Sequence, residues 1–305
     1  MAGQIGSGKT EVCRELGRRT GWKIISAGGI LRRMAAEHGM SILEFNEYAK
    51  AHKHVDREID GYLASLDNLP ESLIIDSRLA WHFLPNSIKV YLIVERLIGA
   101  ERVFLASRTD ENHASAETAG MDNAERQRLE QERFLSLYAV NSECWRNYDI
   151  VIDTSHASPG EVADVVMKHV SGGAGSARPE CWLSPKRLLP TKAIRDLASS
   201  RAEDGFDEKT AIDIAVYKGA FLIVDGHVRA SLALRLQRTL IRCRLVAFET
   251  EEVRGQSVSE FARTSTSVSV IHDWEDAHKF RLPSYPSWLE HGTVRTCPGS
   301  PSSSP

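Results

Sequence analysis

The eight residues "GQIGSGKT", Gly3 to Thr10, constrain this chain more than any other stretch. Their spacing, G-x-x-x-x-G-K-T, is that of a phosphate-binding loop, which leaves a buried parallel strand and opens a helix. Glycines at Gly3, Gly6 and Gly8, with Ser7 between the last two, let backbone N–H groups turn inward on a phosphate. Lys9 then offers positive charge to the β and γ oxygens and Thr10 a hydroxyl to Mg²⁺, while the helix from about Thr10 points its positive end at the phosphates. Only Met1 and Ala2 precede the loop, so the strand that should feed it is apparently missing.

The rest of the chain has room for a fold around this loop. With 305 residues, 42% hydrophobic and 26% charged, it has the profile of a soluble two-domain protein. A formal net charge of -3 gives no general attraction to nucleic acid, which stays possible but not favoured as a partner, nor to an anionic membrane. Apolar runs stay far below the roughly 20 residues of a membrane span, and an apolar signal core is missing, so a cytoplasmic location is expected. Cys13, Cys144, Cys181, Cys243 and Cys297 form no C-x-x-C pair, which argues against a disulfide framework or a zinc site.

Residues 1–170 alternate short apolar runs (22–26, 73–76, 90–94 and 149–153) with longer amphipathic segments, the pattern of an α/β domain with a parallel sheet and flanking helices. Two capping boxes, Ser41 with Glu44 and Ser158 with Glu161, mark helix starts. Met40 and Phe45 are spaced as a hydrophobic staple, and Gly39 closes the preceding helix. The small residues of 171–180 read as a flexible linker. A smaller α+β domain over 181–296 follows, with helices at 191–202 and 228–237 and strands at 212–216, 220–225 and 241–248, and then a disordered tail at 297–305.

Phosphoryl transfer needs cations on both donor and acceptor phosphates, and arginine's planar fork suits that task. Arg32, Arg78, Arg108, Arg126 and Arg133 fall at helix starts, at a strand end, or around a polar stretch, 109–123, that reads as a mobile loop. The segments "ISAGGILRRMAAEHGMSILEFNEYAK", "DREID", "DSRLA" and "ERQRLEQERFLSLY", with "YDIVIDTS" after them, resemble the archaeal-type cytidylate kinases, a branch of the P-loop nucleoside monophosphate kinases. The resemblance runs from the loop to about Val170. It implies ATP- and Mg²⁺-dependent phosphorylation of CMP or dCMP to the diphosphate.

Carried over by position, the resemblance places Ser26, Gly28 and Arg32 beside the acceptor nucleotide, with Asp56, Asp60 and Arg78. It makes Lys9, Arg126 and Arg133 catalytic, the two arginines lying in a lid that closes on the phosphates. Two positions depart from the family pattern: Ser77 stands where it has glycine, a side chain that could crowd a nucleotide, and Phe134 stands where it has tyrosine. Asp76 is a candidate for contact with Mg²⁺ through water, as Thr10 is for a direct one.

In such a fold the strand before the loop lies between the runs at 73–76 and 90–94, and its loss would leave a slot with unpaired ladder groups. The sequence therefore suggests either a start misassigned downstream of an apolar strand or a rearranged kinase domain. In the second domain, "YKGAFLIVDGHVRASLAL" resembles the ParB/sulfiredoxin-like fold. Asp225, Gly226, His227 and Arg229 then form a candidate phosphate site where a strand turns into a helix. Two other functions follow from that resemblance: a regulatory or DNA-associated nucleotide-binding protein, and a small-molecule kinase using Asp225 and His227. "IHDWEDAHKF" reads as a helix with Trp274 and Phe280 packed inward rather than as a metal cluster.

Overall fold

Ala2–Gly3 form a strand, β1, parallel to Val90–Ile93 (β4), with Ala2 opposite Tyr91 and Gly3 opposite Leu92. The computed structural model describes residues 1–41, 44, 45, 48, 52–106, 115–172, 178–194, 207 and 210–289, apart from the side chains of residues 53, 56 and 116. On the other side of β1, the Met1 amino group donates to Ile75 O at 2.7 Å and Met1 O accepts from Ser77 N at 3.2 Å. The first residues therefore lie between Leu73–Asp76 (β3) and β4. The first strand, expected to be missing, is present over two residues. Ladder bonds use backbone groups alone, so even alanine and glycine can make them. Beside Met1 is a cavity of about 360 Å³, lined among others by Leu16, Trp22, Ile74, Val90, Val166 and Met167.

The chain divides into two compact units. The first comprises Met1–Ser184 and Arg238–Arg244. In it β4 pairs in parallel with Ile150–Asp153 (β5), and β5 with Glu180–Leu183 (β6). Ile241–Arg244 run antiparallel to β6. The unit extends beyond residue 170, where the sequence reading ended the first domain, because β6 joins this sheet. A separate parallel pair joins Lys23–Ser26 (β2) to β3. All four residues of β4 and of β5 are buried, the uninterrupted apolar pattern of strands covered on both faces. Helices α1 (Lys9–Thr20) and, later in the chain, Pro159–Gly172 contribute Val12, Leu16, Val162 and Val166 to a core with Leu92, Ile150 and Ile152.

Local signals set the helix ends. The amide N–H groups of Ser41 and Glu44 donate to each other's side chain, as do those of Ser158 and Glu161. Helix α2 (Ala27–Glu37) closes through Gly39 at φ +64°, with Met40 N–H bonded back to Ala35 O at 2.9 Å. Met40 and Phe45 meet in one apolar cluster with helix α3 (Lys53–Ser65). After the turn Ala80–Phe83 (α4) come Arg96–Leu105 (α5) and the long helix Ala116–Tyr138 (α6). Residues 116–123 are thus helical, not a loop: Ser115 Oγ caps the start by accepting the Thr118 N–H, with Glu117 in the first turn. Residues 107–114, Arg108 among them, lie outside the described residues. Helix α7 is Pro159–Gly172.

The second unit comprises Pro185–Gln237 and the chain from Leu245. Ile212–Tyr217 (β8) and Ala220–Asp225 (β9) form an antiparallel hairpin, and Leu188–Leu189 (β7) runs parallel to β9. Lys218 at φ +47° and Gly219 at φ +75° make the left-handed pair that a two-residue hairpin turn requires. Helices His227–Arg235 (α8), Val258–Ser265 (α9) and Val268–His278 (α10) follow, with strand Ile241–Phe248 (β10) before α9. Leu222, Ala247, Phe261 and Ile271 belong to its core. Trp274 is buried on α10, as the sequence suggested, whereas Phe280 lies beyond the end of that helix and is only half-buried. Most of the helix anticipated at 191–202, and the whole tail 297–305 with Cys297, lie outside the described residues. Among the described residues, no helix is long and apolar enough to cross a membrane.

Candidate functional site

The phosphate loop is tied to β4 before it turns. Gln4 N donates to Leu92 O and Val94 N to Gln4 Oε1, each at 2.9 Å, and Ser7 N returns to Gln4 O at 3.1 Å. Gly6, at φ +79°, packs on α5: a Cβ there would stand 2.3 Å from Gly99 O. Gly8, at φ +72°, is the N-cap of α1 and has no side-chain cap bond. A Cβ on Gly8 would meet nothing within 4 Å, so the space over the loop is open. The first helical bond runs from Val12 N to Gly8 O, leaving the preceding N–H groups of the turn with no intrahelical partner. Open space beside Gly8 and a helix N-terminus suit a phosphate chain.

Asp76 ends β3 opposite Ser26 on β2, and it is 6% exposed. Its carboxylate holds Lys9 in an ion pair through one oxygen and accepts from Thr10 Oγ1 at 3.4 Å through the other. A carboxylate beside a hydroxyl is a hard-oxygen donor set of the kind Mg²⁺ takes. Ser77 does not project into this space: it is buried, and its Oγ accepts the Leu79 N–H at 3.3 Å.

Arg78 follows. Burial, reinforced by the nearby Arg126, brings its guanidinium down to about 10. It forms an ion pair with Oε2 of Glu130 on α6, and Arg126 Nε lies 3.6 Å from Oε1 of the same carboxylate. Arg133 is exposed on the same helix. Ser26 caps α2 by accepting the Gly29 N–H at 3.3 Å, and Arg32 reaches back to Gly28. Asp60, on α3, accepts from Tyr138 Oη at 2.8 Å. The side chain of Asp56 lies outside the described residues.

The structure thus groups Lys9, Thr10 and Asp76, then Ser26, Gly28 and Arg32, then Arg78 with Arg126. Three participants escaped the sequence reading. Glu130 and Tyr138 sit on α6 within the segment "ERQRLEQERFLSLY", but neither was assigned a role from the sequence. Arg102, on α5, donates to Thr154 O at 2.7 Å, Ser155 O at 3.2 Å and Gly6 O at 3.5 Å, bracing the loop against the end of β5. Contacts so distant in sequence leave no local signal.

In the second unit the candidate phosphate residues turn to backbone groups. His227 is buried, and its Nε2 accepts the Thr191 N–H at 3.0 Å, so that nitrogen carries no proton. Burial, with Lys192 nearby, lowers its pKa to about 4. Arg229 donates to Ala211 O at 3.0 Å, while Asp225 is exposed. They do not converge on one open space.

A sequence model described as "AAA domain" matches residues 1–130. Cytidylate kinase from Pyrococcus abyssi is 38% identical over 168 residues, which make up 54% of this chain and 89% of that protein. The chain belongs to the cytidylate kinase family. The same-named enzyme of Pyrococcus furiosus is 36% identical over 58% of this chain and 93% of its own length. A further relative, the S-adenosylmethionine-dependent nucleotide dehydratase of Lacinutrix mariniflava, is 34% identical over 55% of this chain but only 35% of that protein. Membership of the cytidylate kinase family makes this a P-loop nucleotide kinase chain by descent, and the matches extend over little more than half of it.

Proposed function

We propose that the first unit transfers the γ-phosphoryl group of ATP to the phosphate of CMP or dCMP. The observation that carries this reading is the convergence of Lys9 and Thr10 on Asp76 at the open mouth of the loop, with the Arg78 and Arg126 guanidiniums close to each other. An acceptor phosphate oxygen attacks the γ-phosphorus, the bond from that phosphorus to the β–γ bridging oxygen breaks, and ADP leaves with the electron pair. Charge spreads over the transferred group during this step, so fixed cations stabilise it more than either ground state.

Lys9 would leave Asp76 to reach the β and γ oxygens, and the loop N–H groups would hold the β-phosphate. Thr10 and Asp76 would hold Mg²⁺, which neutralises charge between the β and γ oxygens when bound. Ser26, Gly28, Arg32, Asp56 and Asp60 would hold the acceptor nucleoside, and Arg78 its phosphate. Arg126 and Arg133 on α6 would approach the transferring group as water is excluded. The second unit is proposed as a ParB/sulfiredoxin-like module on the strength of its hairpin and α8. Its histidine and arginine bond inward, so it is not offered as the seat of the reaction.

The test is an ADP-release assay across CMP, dCMP, UMP and AMP. Turnover with CMP or dCMP above the other acceptors, reduced at least roughly a hundredfold by Lys9→Ala, is expected. Undiminished turnover in Lys9→Ala would sink the proposal.

A further inference from the structure

Glu130 holds a position that the proposed reaction does not use. Its carboxylate pairs with both Arg78 and Arg126 and gives one oxygen to each. The side chains of Arg78 and Glu130 are 26% and 31% exposed, and that of Arg126 is 50% exposed. They stand at the root of the phosphate loop, where Gly3, Gln4, Ile5, Arg78, Gln127 and Glu130 line one small pocket. Two neighbouring guanidiniums repel each other, and the partly buried one suffers most, because little water screens it. An anion between them relieves that repulsion.

We infer that Glu130 stands in for the acceptor phosphate at Arg78 and Arg126, and that it sets acceptor affinity by competing for them. This rests on the reading of Arg78 as an acceptor-phosphate ligand. A nucleoside monophosphate near neutral pH carries nearly two negative charges and three acceptor oxygens, against one charge and two oxygens on the carboxylate. It therefore wins the arginine pair, but only after the ion pairs of Glu130 are broken. While the site is empty, Glu130 keeps the two arginines close together and aimed. When a phosphate enters, the carboxylate must swing out, taking the contact between α6 and Arg78 with it. Binding of the acceptor and loss of the Glu130 pair with Arg78 are thus one exchange, while Arg126 keeps α6 at the site through the phosphate.

The experiment uses the full chain and CMP as probe, with Kd measured by calorimetry without ATP and, separately, KM and kcat with ATP. Glu130→Gln keeps the shape and removes the charge. It is expected to tighten CMP binding by about tenfold and to lower KM in parallel, with kcat nearly unchanged. Glu130→Asp, charged but shorter, should fall between the two. Glu125 pairs with Arg128 on the exposed side of the same helix, and Glu125→Gln is expected to leave the Kd as it was. An equal tightening in Glu125→Gln would mean a general charge effect and would overturn the inference. So would an unchanged or weaker Kd in Glu130→Gln, which would make Glu130 a support for the arginines rather than a competitor. Circular dichroism of each variant separates a loss of fold from a loss of affinity, and a folded Glu130→Asp scores the inference if Glu130→Gln misfolds. Because Kd is read without turnover, binding of CMP with no ADP released would break the kinase reading and leave this inference standing.

Discussion

Two turns in this protein share one local plan and differ in what surrounds them. At Gly8 and again at Gly226 a glycine of positive φ caps a helix without a side-chain cap bond, and the next residue is Lys9 in one case and His227 in the other. Over Gly8 the space is open, and Lys9 rests on a carboxylate that a phosphate chain can replace as its partner. At Gly226 a Cβ would come within 3.2 Å of Ile212 and 3.3 Å of Arg229, and His227 is buried against the Thr191 N–H. A glycine followed by a helix is therefore not sufficient for an anion site. What decides is whether the donors remain available to a ligand or already satisfy the protein's own backbone.

Substitutions sharpen this contrast. The largest effect is expected from Gly6→Ala, whose new methyl group would collide with the backbone of Gly99, atoms that cannot rotate aside. It should cost more than about 3 kcal/mol and abolish nucleotide turnover, as urea denaturation and the ADP-release assay would show. An alanine tolerated there would break the picture of a loop seated on α5.

Next in size is His227→Ala. It leaves the Thr191 N–H without its partner and opens a cavity, at a cost of about 2 kcal/mol, while turnover stays at the parent level. Loss of turnover in a folded His227→Ala would place function in the second unit and undo the comparison. The same histidine predicts a pH dependence. Its folded pKa of about 4 lies below the ordinary 6.5, so the unfolded chain binds more protons between those values. Stability from this group is full above about 6.5 and falls, by up to about 3 kcal/mol, as the pH drops toward 4. Denaturation midpoints across that window should slope in the parent and flatten in His227→Ala. The smallest effect is expected at Gly226→Ala, about 1 to 2 kcal/mol for a left-handed alanine with tight but yielding side-chain neighbours, again by urea denaturation.

Much of the first unit was legible because its signals are local. The reciprocal bonds of Ser41 with Glu44 and of Ser158 with Glu161 follow from side chains three residues apart. The buried runs of β4 and β5 follow from uninterrupted apolar residues. Residues 116–123 misled because polar, small residues suit both loops and the exposed start of a helix, and the cap at Ser115 has no acidic partner at the boxed position. Arg102 was missed since its partners Thr154 and Gly6 lie 52 and 96 residues away, and Glu130 since its pair with Arg78 joins two separate elements, although Arg126 precedes it by one helical turn.

The sequence by itself determined the phosphate loop, its lysine and threonine, and the four apolar runs that become β2 to β5, because spacing and periodicity act over a few residues. Only the tertiary structure decided that Ala2 and Gly3 join the sheet beside β4, that His227 faces inward, and that a carboxylate sits between the two arginines. Each of these depends on which backbone or charged groups come near from distant parts of the chain, and short-range pattern carries no record of that.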